Sequence, residues 1–288
     1  MWQAISDQLS DTLMFKFNIK ERVKMDGGDI NQCYMISDGE QRYFIKTNHK
    51  DFLPKFEIEA ENLHALRETN TVQLPEVVLI GKTKECAFLV LNYIPVKPLD
   101  VAENSHRFGV QLAKLHKWGE QAEFGFDQDN YLGETLQPNQ WHKKWSRFFS
   151  EQRIGWQLQL LKEKHITFTP ISEFVDLVNH QLSGHNPKPS LLHGDLWNGN
   201  VANSAFGPLC YDPASYWGDR ECDLAMTELF GGFRPEFYQG YESILAIEPM
   251  YEYRKHIYNL YHVLNHCNLF GGQHLDEAEK LISTIQSS

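Results

Sequence analysis

Residues 191–213, LLHGDLWNGNVANSAFGPLCYDP, contain the side chains best placed to do chemistry. Asp195 is followed five residues later by Asn200. Asp212 comes twelve residues after that, just behind the apolar run Pro208-Leu209-Cys210-Tyr211. Phosphoryl transfer from ATP needs a set of this kind: one carboxylate orients and deprotonates the attacking hydroxyl, while an amide oxygen and a second carboxylate hold Mg²⁺ against the phosphates. On this reading Asp195 is the base, and Asn200 and Asp212 are the metal ligands.

The Asp-x-x-x-x-Asn spacing is that of a kinase catalytic loop, with His193-Gly194 where His-Arg is usual. Upstream, Lys46 closes the β-prone run Tyr43-Phe44-Ile45-Lys46. A lysine at a strand end is ordinarily solvated; here the sharper reading is the lysine that bridges the α and β phosphates and pairs with a helix carboxylate. In the predicted helix 53–68, Phe56, Leu63 and Leu66 form an apolar stripe. Glu59 shares its spacing, whereas Glu57 and Glu61 point away. A carboxylate on a packed face is costly unless a cation meets it, so Glu59 is the expected partner of Lys46. Gly27 and Gly28, in the turn Gly27-Gly28-Asp29-Ile30-Asn31-Gln32, could lay backbone N–H groups over phosphates. The GxGxxG spacing is absent, and Gly-Gly also marks a plain hairpin.

The elements that must position these residues fall into two textures. Residues 17–47 and 77–91 carry short β-prone runs around the 53–68 helix. Beyond Pro95 and Pro98 the pattern is helical, at about 100–118, 140–164, 171–183, 219–230 and 250–270. The expected fold is therefore α+β: a mainly β N-lobe with one key helix over 1–94, carrying the phosphate turn and the Lys/Glu pair, and a helical C-lobe over 95–288. The C-lobe carries the catalytic loop, the metal ligands and the acceptor site, and Asn92-Tyr93-Ile94-Pro95 connects the two. No internal repeat or low-complexity tract interrupts the chain.

At 288 residues the chain suits two lobes rather than one small core. A net charge of −11 argues against a nucleic-acid partner, which needs clustered Lys and Arg, but is compatible with ATP and its metal ions. No apolar run approaches the length of a membrane span, and the start MWQAISDQLS lacks the features of a signal peptide. The five cysteines are scattered and form no CxxC pair, so neither a disulfide framework nor a thiolate zinc site is expected, and a reducing cytoplasm is the expected location.

The blocks HGDLWNGNV and YDPASYWGDRECDLAMTELFGGF, with YFIKTN and FEIEAENLHAL upstream, resemble the fructosamine-3-kinase (ketosamine kinase) family, itself related to aminoglycoside and choline kinases. The similarity runs from about Gly27 to Gly271. The resemblance implies a protein-kinase-like two-lobed fold, ATP and Mg²⁺, and transfer of the γ-phosphate to the 3-hydroxyl of a ketosamine, free or attached to a protein lysine. It implies a deglycating role, since 3-phosphorylation makes such adducts fall apart. By resemblance Asp195 is the base, Asn200 and Asp212 the metal ligands, Lys46 the phosphate lysine and Glu59 its partner, with the adenine edge against backbone groups of Asn92, Tyr93 and Ile94. Two departures stand out. Asp29 replaces a cysteine that some relatives carry in the Gly-rich turn, with Cys33 four residues on, which puts a redox switch there in doubt. The stretch between Gly119 and Gln140 is short, leaving acceptor size open.

Trp197, Trp217 and Asp219 are candidates to border the acceptor: the indoles as apolar walls, the carboxylate for a cationic amine. Each has an ordinary alternative, packing for the tryptophans and helix capping for Asp219. Asp223 is placed to anchor the catalytic loop through backbone N–H groups, and His193 to organise it. His262 and His266 are four apart on a predicted helix but lack a third ligand, so a metal site there is not expected. The rival readings are a kinase of the same fold acting on an aminoglycoside, choline or homoserine, and a catalytically silent nucleotide-binding module. A protein kinase fits less well, because few residues separate Asp212 from the next helix and no APE sequence follows.

Overall fold

The structure, a computed structural model, describes residues 1–25 and 30–287. Five strands rich in β-branched and aromatic residues form one antiparallel sheet: β1 (Glu21–Met25), β2 (Gln32–Ser37), β3 (Arg42–His49), β4 (Val77–Lys82) and β5 (Cys86–Asn92), in the order β1-β2-β3-β5-β4. Burial follows position in that order. The edge strand β1 is largely exposed, whereas β5 is buried along nearly its whole length. Ile36, Ile45, Phe88 and Val90 pack one face against Ile5 and Leu9, a one-turn pair on helix α1 (Trp2–Leu13), and against Phe17. Helix α2 (Leu53–Glu68) has Pro54 in its first turn, where no intrahelical N–H is needed, and buries Phe56, Leu63 and Leu66.

The chain forms two compact units. The first comprises residues 1–99 together with 201–212. The later segment is a hairpin of Val201–Ser204 and Gly207–Cys210, and backbone bonds account for its grouping. Lys97 and Asn203 exchange N–H···O bonds of 2.8 Å each way, and Cys210 N–H donates to the Gln73 carbonyl at 3.0 Å. A division of the chain at residue 95 alone would keep this hairpin with Lys97 but part it from Gln73.

The second unit, 100–200 and 213 onward, is helical. It comprises α3 (Ala102–Lys117), α4 (Trp145–Phe149), α5 (Trp156–Glu163), α6 (Ile171–Leu182), α7 (Glu221–Glu228), α8 (Pro235–Glu242), α9 (Tyr251–Phe270) and α10 (Gln273–Ser287). A π-helical turn over Ser150–Gly155 joins α4 to α5, so the helix expected over 140–164 starts at Trp145. Before it, Asn130–Leu132 and Thr135–Gln137 form a short hairpin. Helices α1, α8 and α10 lie outside the sequence expectation. Among the described residues no helix is long and apolar enough to cross a membrane, and all five cysteines are buried and outside any disulfide.

Candidate active site

In the first unit, strand β3 delivers Lys46 into the interior, where its neighbours across the sheet are Cys33 on β2 and Leu89 on β5. Its Nζ donates to Glu59 Oε1 at 2.7 Å and to Asp212 Oδ1 at 2.6 Å. Glu59 reaches it from α2 because the turn of helix that buries Phe56 and Leu63 faces the sheet. Asp212 follows the strand Gly207–Cys210 with a φ of 56°, the left-handed region that non-glycine residues seldom occupy. Such a conformation persists only where surroundings hold it, and here a charge-assisted bond from a buried lysine does so. Burial opposes the charge on Lys46, but Asp212 and Glu59 outweigh it and raise the affinity of its amine for a proton well above normal. Burial likewise lifts the Glu59 carboxyl, and Lys46 pulls it back. Burial also raises the Cys33 thiol above its ordinary range despite the nearby ammonium, which leaves it a weak nucleophile at neutral pH.

The second unit builds the Asp195 loop mainly from backbone contacts. Ser190–Leu191 pairs with Trp217–Gly218, and the Leu192 N–H donates to the Tyr216 carbonyl at 3.0 Å. Asp223 of α7 then accepts from the His193 N–H at 2.8 Å and the Gly194 N–H at 2.9 Å, while His116 Nε2 lies 3.1 Å from the same carboxylate. Burial works against that carboxylate, yet these donors, His116 foremost, hold it below the usual range as an anion. Gly194 has a φ of +84°, and a Cβ there would sit 2.0 Å from the Ala214 carbonyl oxygen. That contact explains why no arginine stands next to the loop histidine. The His193 ring supports the loop as well, its Nδ1 accepting from the Asp195 N–H at 3.3 Å.

Asn200 closes the loop on itself. Its Nδ2 donates to the Asp195 carbonyl at 2.8 Å and to Asp195 Oδ2 at 2.9 Å. With the amide nitrogen used locally, the amide oxygen is the atom left for a cation. In the first unit Asp212, 39% exposed, meets Lys46 through one of its two carboxylate oxygens. Amide and carboxylate oxygens are both hard donors of the kind Mg²⁺ takes, so the residues present fit that ion.

The remaining sequence candidates separate. Trp197 is 37% exposed, and its indole lies over Gly199, where a Cβ would come within 2.3 Å of the ring. Trp217 stacks on Trp118 with centroids 6.1 Å apart, at the end of α3. Asp219 is buried and accepts from Tyr258 Oη at 2.6 Å and from the Glu221 N–H at 3.1 Å, with His185 Nε2 at 2.7 Å. Its carboxylate thus serves the first turn of α7 and a buried network. Asn92 is tied to Glu76 in both directions: its N–H donates to the Glu76 carbonyl, and its Oδ1 accepts from the Glu76 N–H. Tyr93 and Ile94 follow, half-buried. Gly27 and Gly28 lie outside the described residues. Two further features escape the sequence reading: His116 as a support of Asp223, and Phe230, which meets Trp197 edge-on at 6.2 Å and stacks on His266 at 4.4 Å. Only Gly199, a glycine inside Trp-Asn-Gly-Asn, hinted at a ring lying on the backbone.

Comparison with known proteins gives a consistent result. The family model described as fructosamine kinase matches residues 1–288. A Vibrio parahaemolyticus protein assigned as a probable ketoamine kinase is 69% identical over 287 residues, covering 100% of both chains. The crystal structure of a candidate fructosamine-3-kinase from Haemophilus somnus superposes with a TM-score of 0.94 at 38% identity, covering 99% of this chain and 97% of that one. An aminoglycoside phosphotransferase solved with AMP-PNP and hygromycin B shares the fold alone, with a TM-score of 0.63, 14% identity and coverage of 99% and 98%. The α+β, protein-kinase-like architecture expected from the sequence is therefore the observed one. With the match spanning its whole length, this chain belongs to the fructosamine kinase family.

Proposed function

We propose that the protein is an ATP-dependent kinase that transfers the γ-phosphate to the 3-hydroxyl of a ketosamine, a sugar–amine adduct, and so serves deglycation. The observation that carries this reading is Lys46, buried and charged between Glu59 and Asp212 at 2.7 and 2.6 Å. A lysine kept protonated in the interior is suited to phosphate oxygens, and a silent module has no use for it. Membership of the fructosamine kinase family supports the acceptor class, and the nucleotide bound by the aminoglycoside phosphotransferase supports ATP as donor.

In the proposed mechanism Lys46 binds the α and β phosphates, and Glu59 keeps its ammonium aimed. The adenine edge would meet backbone groups of Asn92, Tyr93 and Ile94, the Asn92 N–H itself already donating to the Glu76 carbonyl. Gly27 and Gly28 would add backbone donors to the phosphates. Asn200 and Asp212 would hold Mg²⁺, which when bound offsets charge developing on the phosphate oxygens. Asp195, fixed by the Asn200 amide, aligns the acceptor 3-hydroxyl and takes its proton. The new bond from that oxygen to the γ-phosphorus forms as the bond to the β-phosphate oxygen breaks, and ADP leaves. Trp197 offers an apolar wall for the sugar carbons. Catalysis on this scheme is positioning and charge neutralisation.

The test is a panel of synthetic ketosamines, aminoglycosides and choline assayed with ATP, with the phosphorylated position read by ³¹P and ¹³C NMR. ADP release with 3-phosphorylation of ketosamines, and kcat/KM for them well above the other acceptors, is the expected result. Preferential turnover of an aminoglycoside or choline overturns the acceptor assignment, and no ATP consumption with any acceptor overturns the kinase reading.

A further inference from the structure

The second unit buries an arginine without a carboxylate. Arg153, in the π-helical turn, is fully buried, and among the described residues no Asp or Glu lies within ion-pair distance of it. Its guanidinium instead sits over the rings of Phe148 and Tyr216, 4.6 and 4.2 Å from their centroids. It donates to the Pro138 carbonyl and, at 2.6 Å, to Asn139 Oδ1. Removing a charge from water costs several kcal/mol in typical cases, so such a group calls for a purpose beyond packing.

Its bonds lead step by step to the loop that carries Asp195. Asn139 Nδ2 donates to Asn130 Oδ1 at 3.0 Å, and Gln137 Nε2 donates to the same oxygen at 2.7 Å. Gln137 Nε2 also donates to the Ala214 carbonyl at 3.1 Å, and Asn130 Nδ2 to the Ser215 carbonyl at 2.8 Å. Tyr261 Oη locks Gln137 from the far side, donating to its Oε1 at 2.6 Å. The backbone so held is the seat of the Asp195 loop: Ala214 N–H donates to the His193 carbonyl at 2.9 Å, and Gly194 presses on the Ala214 carbonyl oxygen. Ala214 and Ser215 are also the second and third residues after Asp212.

We propose that the chain of buried side chains Arg153–Asn139–Asn130–Gln137, fixed by Tyr261, is a positioning device for phosphoryl transfer. It sets the Ala214–Ser215 backbone on which Gly194 and Asp195 rest. None of the four touches the reacting atoms. They act through two carbonyls, and Arg153 anchors the far end, where its rigid fork fixes both Asn139 and the chain at Pro138. The Arg153 Nε is left without a hydrogen-bond partner, but the amides of Asn139, Asn130 and Gln137 are bonded one to the next and on to two backbone carbonyls. Directional bonds of this kind favour one backbone arrangement where an apolar filling of the same volume does not. The proposal rests on the kinase reading for its effect on turnover, but not for its effect on the backbone.

The experiment compares wild type with Tyr261→Phe, which removes one hydroxyl, and Gln137→Met, which keeps the volume and removes every donor. Turnover per folded molecule is measured with ATP and a ketosamine, and amide hydrogen exchange is followed over 191–196 and 213–217. The expected result is a kcat loss of about three- to tenfold in Tyr261→Phe and about ten- to hundredfold in Gln137→Met, with KM for ATP within about twofold of wild type. Exchange over both segments should rise by about tenfold or more while the β1–β5 sheet is unchanged. A lower Tm with kcat unchanged would assign the chain to folding alone and overturn the proposal, as would unaltered exchange in both variants. Tyr261→Phe decides the matter should Gln137→Met fail to fold. Absence of ketosamine turnover in wild type refutes the functional reading instead, and the exchange data still judge the positioning role.

Discussion

The Lys46 cluster and the Asp195 loop are built on opposite plans. The cluster joins three side chains, with Asp212 166 residues from Lys46, through direct charge–charge bonds. The loop takes its shape through its backbone, with N–H groups captured by Asp223, 30 and 29 residues further on, and a glycine that lets the chain approach Ala214. Removing a partner from the cluster leaves a buried charge, whereas disturbing the loop moves a carboxylate that is only half-buried. The first plan ties function to stability, and the second separates them.

The sharpest test of that separation is Asp195→Asn. The amide preserves the shape of the loop and keeps an oxygen for the Asn200 Nδ2, but cannot take the proton of an alcohol. Turnover should fall by about 10²- to 10⁴-fold, with Tm and ATP affinity close to wild type. Retained turnover would remove Asp195 from the chemistry. Gly194→Ala probes the same plan through geometry. The new methyl meets a backbone oxygen at 2.0 Å and the residue sits at φ +84°, so the loop must shift. A kcat loss of about 100-fold with a modest fall in Tm is expected, and wild-type kinetics would show that the Ala214 contact does not set the base.

In the Lys46 cluster the expected response is different. Asp212→Ala should weaken nucleotide binding by about tenfold or more when Mg²⁺ is present and change it little when Mg²⁺ is absent, measured by calorimetry. Equal affinity under both conditions would count against a ligand role. Glu59→Leu should lower stability by about 1–3 kcal/mol, because Lys46 keeps only Asp212 as a counter-charge. Stability unchanged in chemical denaturation would mean that the ion pair is not what holds α2 to β3.

How much of this was legible in the sequence follows the same division. The Asp195–Asn200 pair could be read directly, because its spacing lies within six residues, although the contacts from Asp223 and Ala214 that hold the loop could not. The strand carrying Lys46 and the stripe that brings Glu59 round to it were legible from their periodicity of two and of 3.6. What spacing does not encode is which distant groups meet. That Asp212 shares Lys46 with Glu59, that the 201–212 hairpin belongs with residues 1–99, and that Asp219 is drawn into a network with His185 and Tyr258 all depend on tertiary contacts. The helix around 145–163 was legible in kind but not in detail: a π-helical turn adds no mark to the apolar pattern, yet it carries the buried Arg153. Helix α8 was hidden by its shortness, eight residues of which Phe237, Gly240 and Tyr241 are buried.

A last contrast lies in how the two regions bury titratable groups, and pH separates them. The Lys46 cluster buries charges in pairs, so its lysine gains affinity for its proton on folding. Helix α9 buries histidines in the neutral form. Burial pushes His262 down from the ordinary 6.5 to about 3, and burial with the neighbouring His274 pushes His266 down to about 4. A base with a depressed pKa in the folded state binds fewer protons there than in the unfolded chain. Its contribution to stability is therefore complete above about pH 6.5 and is lost as the pH falls toward 4 and then 3. Denaturation midpoints should drop steadily through this window, with His262 alone accounting for about 1–2 kcal/mol between pH 6.5 and 5. His262→Asn should flatten that slope whatever its effect on stability at pH 7.5, since an amide has no proton to gain. A slope identical to wild type would mean that His262 takes up its proton in the fold as readily as in the unfolded chain.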